Sequence, residues 1–303
     1  MSDLLKISVI TPSFNSATFL ETAVQSVIRQ DYPNFEHIIT DAGSTDGTLE
    51  ILKKYDHLKW VSEPDEGQSD AMNKGFRMST GDIIVYLNAD DYFLPDAFKK
   101  VLPYFASGAK FVVGTVRVEK EDGTFWINDP KVTHDEMLRH WKSDAFCVNP
   151  VGYFYLREVQ ENVPGFNQKN HFSMDLEFLL ECSLKYDFIK IREKEPLGVF
   201  RYYEGTKTVE CAKSPSKLYT CSNFRFIERF LTDKPSHFVK KYRRQRKEAY
   251  RDLIWQAHDK KNKYSTRYLK RIIRDFFRTN IFKIKDFKRS DNKTKIIKDL
   301  IRR

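Results

Sequence analysis

The sequence contains no stretch approaching eighteen uninterrupted apolar residues, and no long apolar run follows its first residues, Met1 to Lys6. This predicts a chain without a membrane span or secretory signal. Cysteine is scarce: Cys147, Cys182, Cys211 and Cys221 are scattered without a CxxC pair. That excludes a zinc knuckle or disulfide framework and suits a reducing, cytosolic compartment. Neither a Walker lysine motif nor GxGxxG is present, which removes the main support for the common nucleotide-loop folds. There is no internal repeat. His37, His57 and His171 stand isolated and read as surface or packing residues rather than ligands.

What is present fits an enzyme-sized domain with an appendage. Of 303 residues 41% are apolar and 31% charged, with 24 Phe and 15 Tyr, which excludes global disorder. The net charge of +10 is unevenly spread. Residues 231–303 hold 25 Lys and Arg against 8 Asp and Glu, a net +17 that leaves −7 on residues 1–230. An acidic body with a basic extension implies that one segment docks on a polyanion, nucleic acid or an anionic membrane surface, while the other does chemistry.

Two apolar periods alternate through the first hundred residues. Ile7–Ile10, Phe35–Thr40, Trp60–Val61 and Ile83–Leu87 read as strands. Leu20, Ala23, Val24, Val27 and Ile28 fall on one helical face. Helices are also expected over 45–55, capped by Ser44 or Thr45, and over 69–78. Strand and helix alternating at this spacing predict an α/β fold, a mostly parallel sheet flanked by helices, with ligands at the carboxyl ends of the strands. Further on, the sequence predicts a strand over 111–118 with a hairpin through Glu121-Asp122-Gly123. Helices follow over 133–142 and 172–186, with closing strands at 189–191 and 198–203. Beyond about residue 215 the pattern is helical. Leu269, Ile272, Ile273, Phe276 and Phe277 make an apolar stripe opposite a cationic face.

Three polar loops follow these strands: Thr11-Pro12-Ser13-Phe14-Asn15, Asp41-Ala42-Gly43-Ser44-Thr45-Asp46-Gly47-Thr48 and Asn88-Ala89-Asp90-Asp91. Adjacent carboxylates directly after a buried strand repel each other unless a cation sits between them and an anionic ligand. Asp90 and Asp91 therefore ask for Mg²⁺ or Mn²⁺ bridging a diphosphate; the plainer reading is a solvated turn. Asp41 suits the N3–H of uracil or thymine, or else an Asx turn supporting Gly43 and Gly47.

The segments Ile7–Asn15, Asp41–Thr48, Glu63–Gly75 and Gly81–Asp91, in this order, resemble the inverting glycosyltransferases of family 2, whose nucleotide-sugar domain has the GT-A fold. The resemblance covers roughly residues 5–205. It implies donor-nucleotide contacts from Thr11, Pro12, Asn15, Asp41, Asn73, Asn88 and Ala89. It also implies a metal pair in Asp90 and Asp91, with Asp90 the direct ligand and Asp91 its support. The first carboxylate of the family's DxD motif is here the amide Asn88, and Met72 and Tyr203 stand where many relatives carry Arg and His. Asp175, at the start of the 172–186 helix, takes the position of the general base. Glu177 is its competitor, about 200° away around the helix.

The chain is therefore expected to hold a catalytic domain over 1–215 and a basic amphipathic helical extension over 216–303. The expected activity is sugar transfer from a UDP- or dTDP-sugar to an acceptor hydroxyl in bacterial surface polysaccharide assembly. A degenerate scaffold acting as a polyanion-binding protein, or a nucleotidyltransferase, are the alternatives. The striped extension suits an anionic inner leaflet, and a lipid-linked glycan acceptor there, better than nucleic acid; helices packed on the catalytic domain are the plainer account.

Overall fold

The computed structural model describes residues 4–142, 144–209 and 226–259, with side chains of the last helix up to residue 249. The chain divides into two compact units, Met1–Tyr203 and Glu204–Arg303.

The first unit begins β1 (Ile7–Ser13), α1 (Leu20–Ile28), β2 (Phe35–Asp41), α2 (Thr48–Leu52), β3 (Leu58–Ser62), α3 (Gln68–Met78) and β4 (Ile83–Tyr86). The four strands are parallel neighbours in the order β4-β1-β2-β3. β1 and β4 are buried throughout, as strands covered on both faces must be. Leu20, Ala23, Val24 and Val27 of α1 face the core as their spacing predicts, while Ile28 at the end of the stripe is 40% exposed. α3 lies very close to the sheet at Gly75, where a Cβ would come within 2.3 Å of Ile10 Cγ2. α2 begins three residues later than its sequence suggests. The Ser44 hydroxyl is taken by Asp41, so Asp46 Oδ1 accepts from the Thr48 N–H (3.1 Å) and hydroxyl (2.6 Å) instead.

The rest of the unit comprises β5 (Tyr92–Phe93), α4 (Ala97–Ala106), β6 (Phe111–Val113), β7 (Val116–Lys120), β8 (Phe125–Asn128), α5 (His134–Met137), β9 (Tyr153–Leu156), α6 (Arg157–Glu161), α7 (Met174–Ser183), β10 (Phe188–Lys190) and β11 (Gly198–Tyr202). β9 joins β4 and β6 antiparallel, completing a seven-stranded sheet ordered β10-β6-β9-β4-β1-β2-β3. A second sheet runs β5-β11-β7-β8. The strand expected over 111–118 is in fact two, one in each sheet. The break falls at Gly114, whose backbone passes so near Leu197 that a Cβ would lie 2.6 Å from it. α4 carries Pro103 in its interior, which obscured it in the sequence. The helix expected over 133–142 is confined to His134–Met137, with Thr133 as its cap.

In the second unit a 3-10 turn, Glu228–Leu231, precedes α8 (Ser236–Asp259). Arg246 of α8 is fully buried and donates to Glu228 Oε1 at 2.5 Å, so part of the basic charge is spent inside the unit. The apolar stripe at 269–277 lies outside the described residues. Among the described residues no helix is long and apolar enough to cross a membrane.

Candidate active site

Parallel strands bring their last residues to one edge. There Ser13, Asp41 and Ser62 are direct register partners across β1, β2 and β3. Asp41 is 2% exposed. Its Oδ2 accepts from the Gly43 and Ser44 N–H groups and the Ser62 hydroxyl, at 3.1, 2.9 and 2.6 Å. Its Oδ1 accepts from the Ser44 hydroxyl at 2.5 Å. The carboxylate thus shapes the 41–47 loop as an Asx turn and faces the β1 loop. Asn15, held at φ 47°, donates its N–H to Ser44 Oγ (2.7 Å) and accepts the Thr45 N–H on Oδ1 (3.0 Å). Thr11 and Pro12 are buried within β1, and the Thr11 hydroxyl pairs with His37 Nε2 at 2.9 Å.

The second cluster follows β4. Asn88 spans from Gln68 Nε2, which donates to its Oδ1 (3.0 Å), to Asp91 Oδ2, which accepts from its Nδ2 (2.9 Å). Ala89 turns its methyl into the apolar cluster of Leu20, Val24, Ile39 and Leu52, which leaves its backbone for a ligand. Asp91 is fully buried and also accepts from Asn149 Nδ2 (2.7 Å) and the Arg201 N–H (2.9 Å). Asp90 is half-buried; its Oδ2 accepts from the Tyr203 hydroxyl (3.2 Å), and its carbonyl accepts from Arg201 Nη1 (3.2 Å). The Arg201 guanidinium is flanked by the rings of Phe19 at 5.0 Å and Tyr92 at 4.8 Å.

Burial holds both carboxyls above the ordinary Asp range, and for Asp91 the neighbouring Asp90 charge adds to it. Two desolvated, mutually repelling carboxylates are a donor set for a hard cation. Among the described residues no third His, Cys, Asp or Glu completes a metal cluster. A cation here would take its other ligands from water and substrate phosphate, which is the usual habit of Mg²⁺. The residues therefore fit the group, with Asp90 accessible to it and Asp91 locked behind by three donors.

The third cluster borders α7. Asp175 lies in its first turn, half-buried, where its charge reaches Cys147 and Tyr153. Burial, supplemented by Asp175, pushes the Cys147 thiol up to about 12. Glu177 is 4% exposed and accepts from Asn167 Nδ2 (3.0 Å) and Asn170 Nδ2 (2.6 Å), so it ties the 167–170 loop to the helix. α7 is fixed to α3 by the Ser69 hydroxyl on Met174 Sδ, at 2.8 Å. Asn73 also spends both ends of its amide on the chain, bonding the Phe166 carbonyl (2.8 Å) and N–H (2.9 Å). It clamps the 165–166 loop. Gln68, Ser62 and Asn149 carry parts of the site that residue type alone did not single out; only their places at strand and helix ends hinted at them.

These features coincide with a known pattern. Residues 8–163 match the profile of Glycosyl transferase family 2. The chain belongs to this family. An uncharacterized glycosyltransferase of Nostoc sp. is 31% identical over 52% of this chain and 53% of its own. The "Putative teichuronic acid biosynthesis glycosyltransferase TuaG" of Bacillus subtilis is 32% identical over 44% of this chain and 57% of its own. The chain thus matches little more than half the length of these two relatives. Among solved structures, mannosyltransferase PcManGT from Pyrobaculum calidifontis, in complex with GDP-Man and Mn²⁺, superposes with TM-score 0.59 at 18% identity, covering 99% of this chain and 86% of that one. S. aureus TarS 1-349 in complex with UDP-GlcNAc gives 0.57 at 16%, covering 98% and 92%. These superpositions agree with the GT-A arrangement of a mostly parallel sheet between helices.

Proposed function

We propose that this family 2 chain transfers a sugar from a nucleoside diphosphate to an acceptor hydroxyl with inversion, in cell-surface polysaccharide synthesis. The observation that carries the reading is the half-buried Asp90 backed by the fully buried Asp91 at the carboxyl end of β4, beside the Ser13–Asp41–Ser62 row. Mn²⁺ or Mg²⁺ held by Asp90 would neutralise charge on the departing diphosphate. Asp91, fixed by Asn88, Asn149 and the Arg201 N–H, sets the position of that carboxylate.

Among the described residues, Asp41 Oδ1 accepts only from the Ser44 hydroxyl, a rotor that can turn aside for the N3–H of uracil or thymine. This favours UDP- and dTDP-sugars, although neighbours bind both uridine and guanosine donors. Asp175 takes the acceptor proton; Glu177, held by two amides, is left to support the loop. TuaG, by its name, acts in teichuronic acid biosynthesis, which supports a surface-polymer acceptor. The catalytic domain over 1–215 and a basic extension over 216–303 on the inner leaflet complete the proposal. Calorimetry with UDP, dTDP and GDP, with and without Mn²⁺, tests it. UDP or dTDP should bind tightest and need the cation; binding of none of the three would overturn the reading.

A further inference from the structure

Both aspartates after β4 are gripped by one short segment, Arg201 to Tyr203, where β11 ends. β11 pairs antiparallel with β5, Gly198 opposite Phe93 and Val199 opposite Tyr92, and the same register continued by two residues sets Arg201 opposite Asp90. Three hydrogen bonds come from this approach. The Arg201 N–H donates to Asp91 Oδ1 at 2.9 Å, Arg201 Nη1 to the Asp90 carbonyl at 3.2 Å, and the Tyr203 hydroxyl to Asp90 Oδ2 at 3.2 Å.

The two carboxylates are secured to different degrees. Asp91, fully buried, also takes the Asn88 and Asn149 amides. Asp90 is half-buried, and among the described residues Tyr203 is the one side chain that donates to its carboxylate. A phenol keeps its proton at neutral pH and an ionised carboxylate only accepts, so the sense of this bond is fixed. Removing the hydroxyl takes away that side-chain anchor, and a ligand that must be ordered as a cation arrives binds it less well.

Tyr203 is itself placed by packing. Its ring lies against Phe19, the residue that precedes α1, with centroids 5.0 Å apart. Phe19 and Tyr92 in turn flank the Arg201 guanidinium, at 5.0 and 4.8 Å from their centroids. The hydroxyl is thus brought to Asp90 by rings packed around a guanidinium that itself holds the Asp90 backbone.

We propose that Tyr203 is a positioning residue for the cation site, its hydroxyl holding the Asp90 carboxylate in the direction in which it meets a divalent cation. This rests on the reading of Asp90 as the cation ligand. The test is calorimetric binding of UDP to the full chain over a series of Mn²⁺ concentrations, in the parent and in Tyr203→Phe, which keeps the ring and removes only the hydroxyl. In the parent, UDP affinity should rise with Mn²⁺ to a plateau. In Tyr203→Phe the Mn²⁺ concentration at half of that rise should increase about tenfold to a hundredfold, while UDP affinity at the plateau stays at the parent value. An unchanged Mn²⁺ midpoint would overturn the assignment. So would a loss of UDP affinity that persists at saturating Mn²⁺, since a nucleotide contact or a packing defect is not restored by the cation. The parent separates the two readings: UDP binding that is absent or independent of Mn²⁺ sinks the cation reading of Asp90, whereas a Mn²⁺-dependent parent with an unshifted Tyr203→Phe midpoint sinks only the role of Tyr203.

Discussion

Asp175 and Glu177 stand two positions apart in α7, and their surroundings separate their roles. Glu177 is enclosed by Asn167 and Asn170, so Glu177→Gln sets an amide against two amide donors. It should cost stability, about 1–3 kcal/mol for an unsatisfied buried group, with turnover per folded molecule nearly kept. Asp175→Asn should instead retain donor binding while slowing sugar transfer about 10²–10⁴-fold. Paired thermal melts and transfer rates check both; a transfer defect confined to Glu177→Gln would move the base. The sequence placed both carboxylates on one helix, but the commitment of Glu177 to Asn167 and Asn170 depended on the 167–170 loop, whose fold is set by contacts distant in sequence. Asn73 shows the same limit, since its amide goes to Phe166, 93 residues away. Asp41 was legible as a strand-end carboxylate, though not the four donors that gather on it.

Among elements, the β1-α1-β2 to β4 segment was readable because its strands carry short apolar runs, Val9-Ile10, Ile38-Ile39 and Ile83-Ile84-Val85, and α1 has one apolar face. The second sheet was not, because β6 and β7 form one apolar run that only the Leu197 contact at Gly114 divides. The close packing of α3 predicts that Gly75→Val overpacks against Ile10 and Thr40, lowering stability by about 1–3 kcal/mol in a denaturant titration. Acid sensitivity belongs to β1 and β2. Burial, with a smaller effect of His57, holds His37 neutral down to about 3 against its ordinary 6.5. An unfolded chain thus binds a proton that the folded one refuses. The His37 contribution is complete above pH 6.5 and lost as pH falls from there toward 3. Glu36 adds a second loss. Burial raises its carboxyl, but Lys59, Ser8, the Thr80 N–H and Lys6 outweigh this and hold it at about 2, so its stabilisation, present above 4.5, disappears as pH falls through 2. Denaturant midpoints should therefore fall from pH 7 to pH 5, and His37→Gln should flatten that slope; an unchanged slope would contradict the assignment.

For the whole molecule, the division of charge between an acidic body and a basic extension was visible in composition alone, whereas the buried Arg246, paired with Glu228, shows that not every basic residue is available to a partner. If residues 231–303 hold the enzyme to an anionic leaflet, vesicle flotation should rise with anionic lipid and weaken with salt. Each near-surface Lys or Arg contributes about 1 kcal/mol that a Debye length of about 8 Å screens. Equal flotation of the full chain and of a chain ending near residue 230 would contradict this. The central claim, that the strand-end carboxylates activate a nucleotide-sugar donor, is tested most directly by nucleoside-diphosphate release from a panel of UDP-, dTDP- and GDP-sugars with Mn²⁺. The account predicts release from a UDP- or dTDP-sugar that excess EDTA or Asp90→Ala lowers by orders of magnitude, since the leaving group loses its charge partner. Release that survives both unchanged, or no release from any donor, would contradict it.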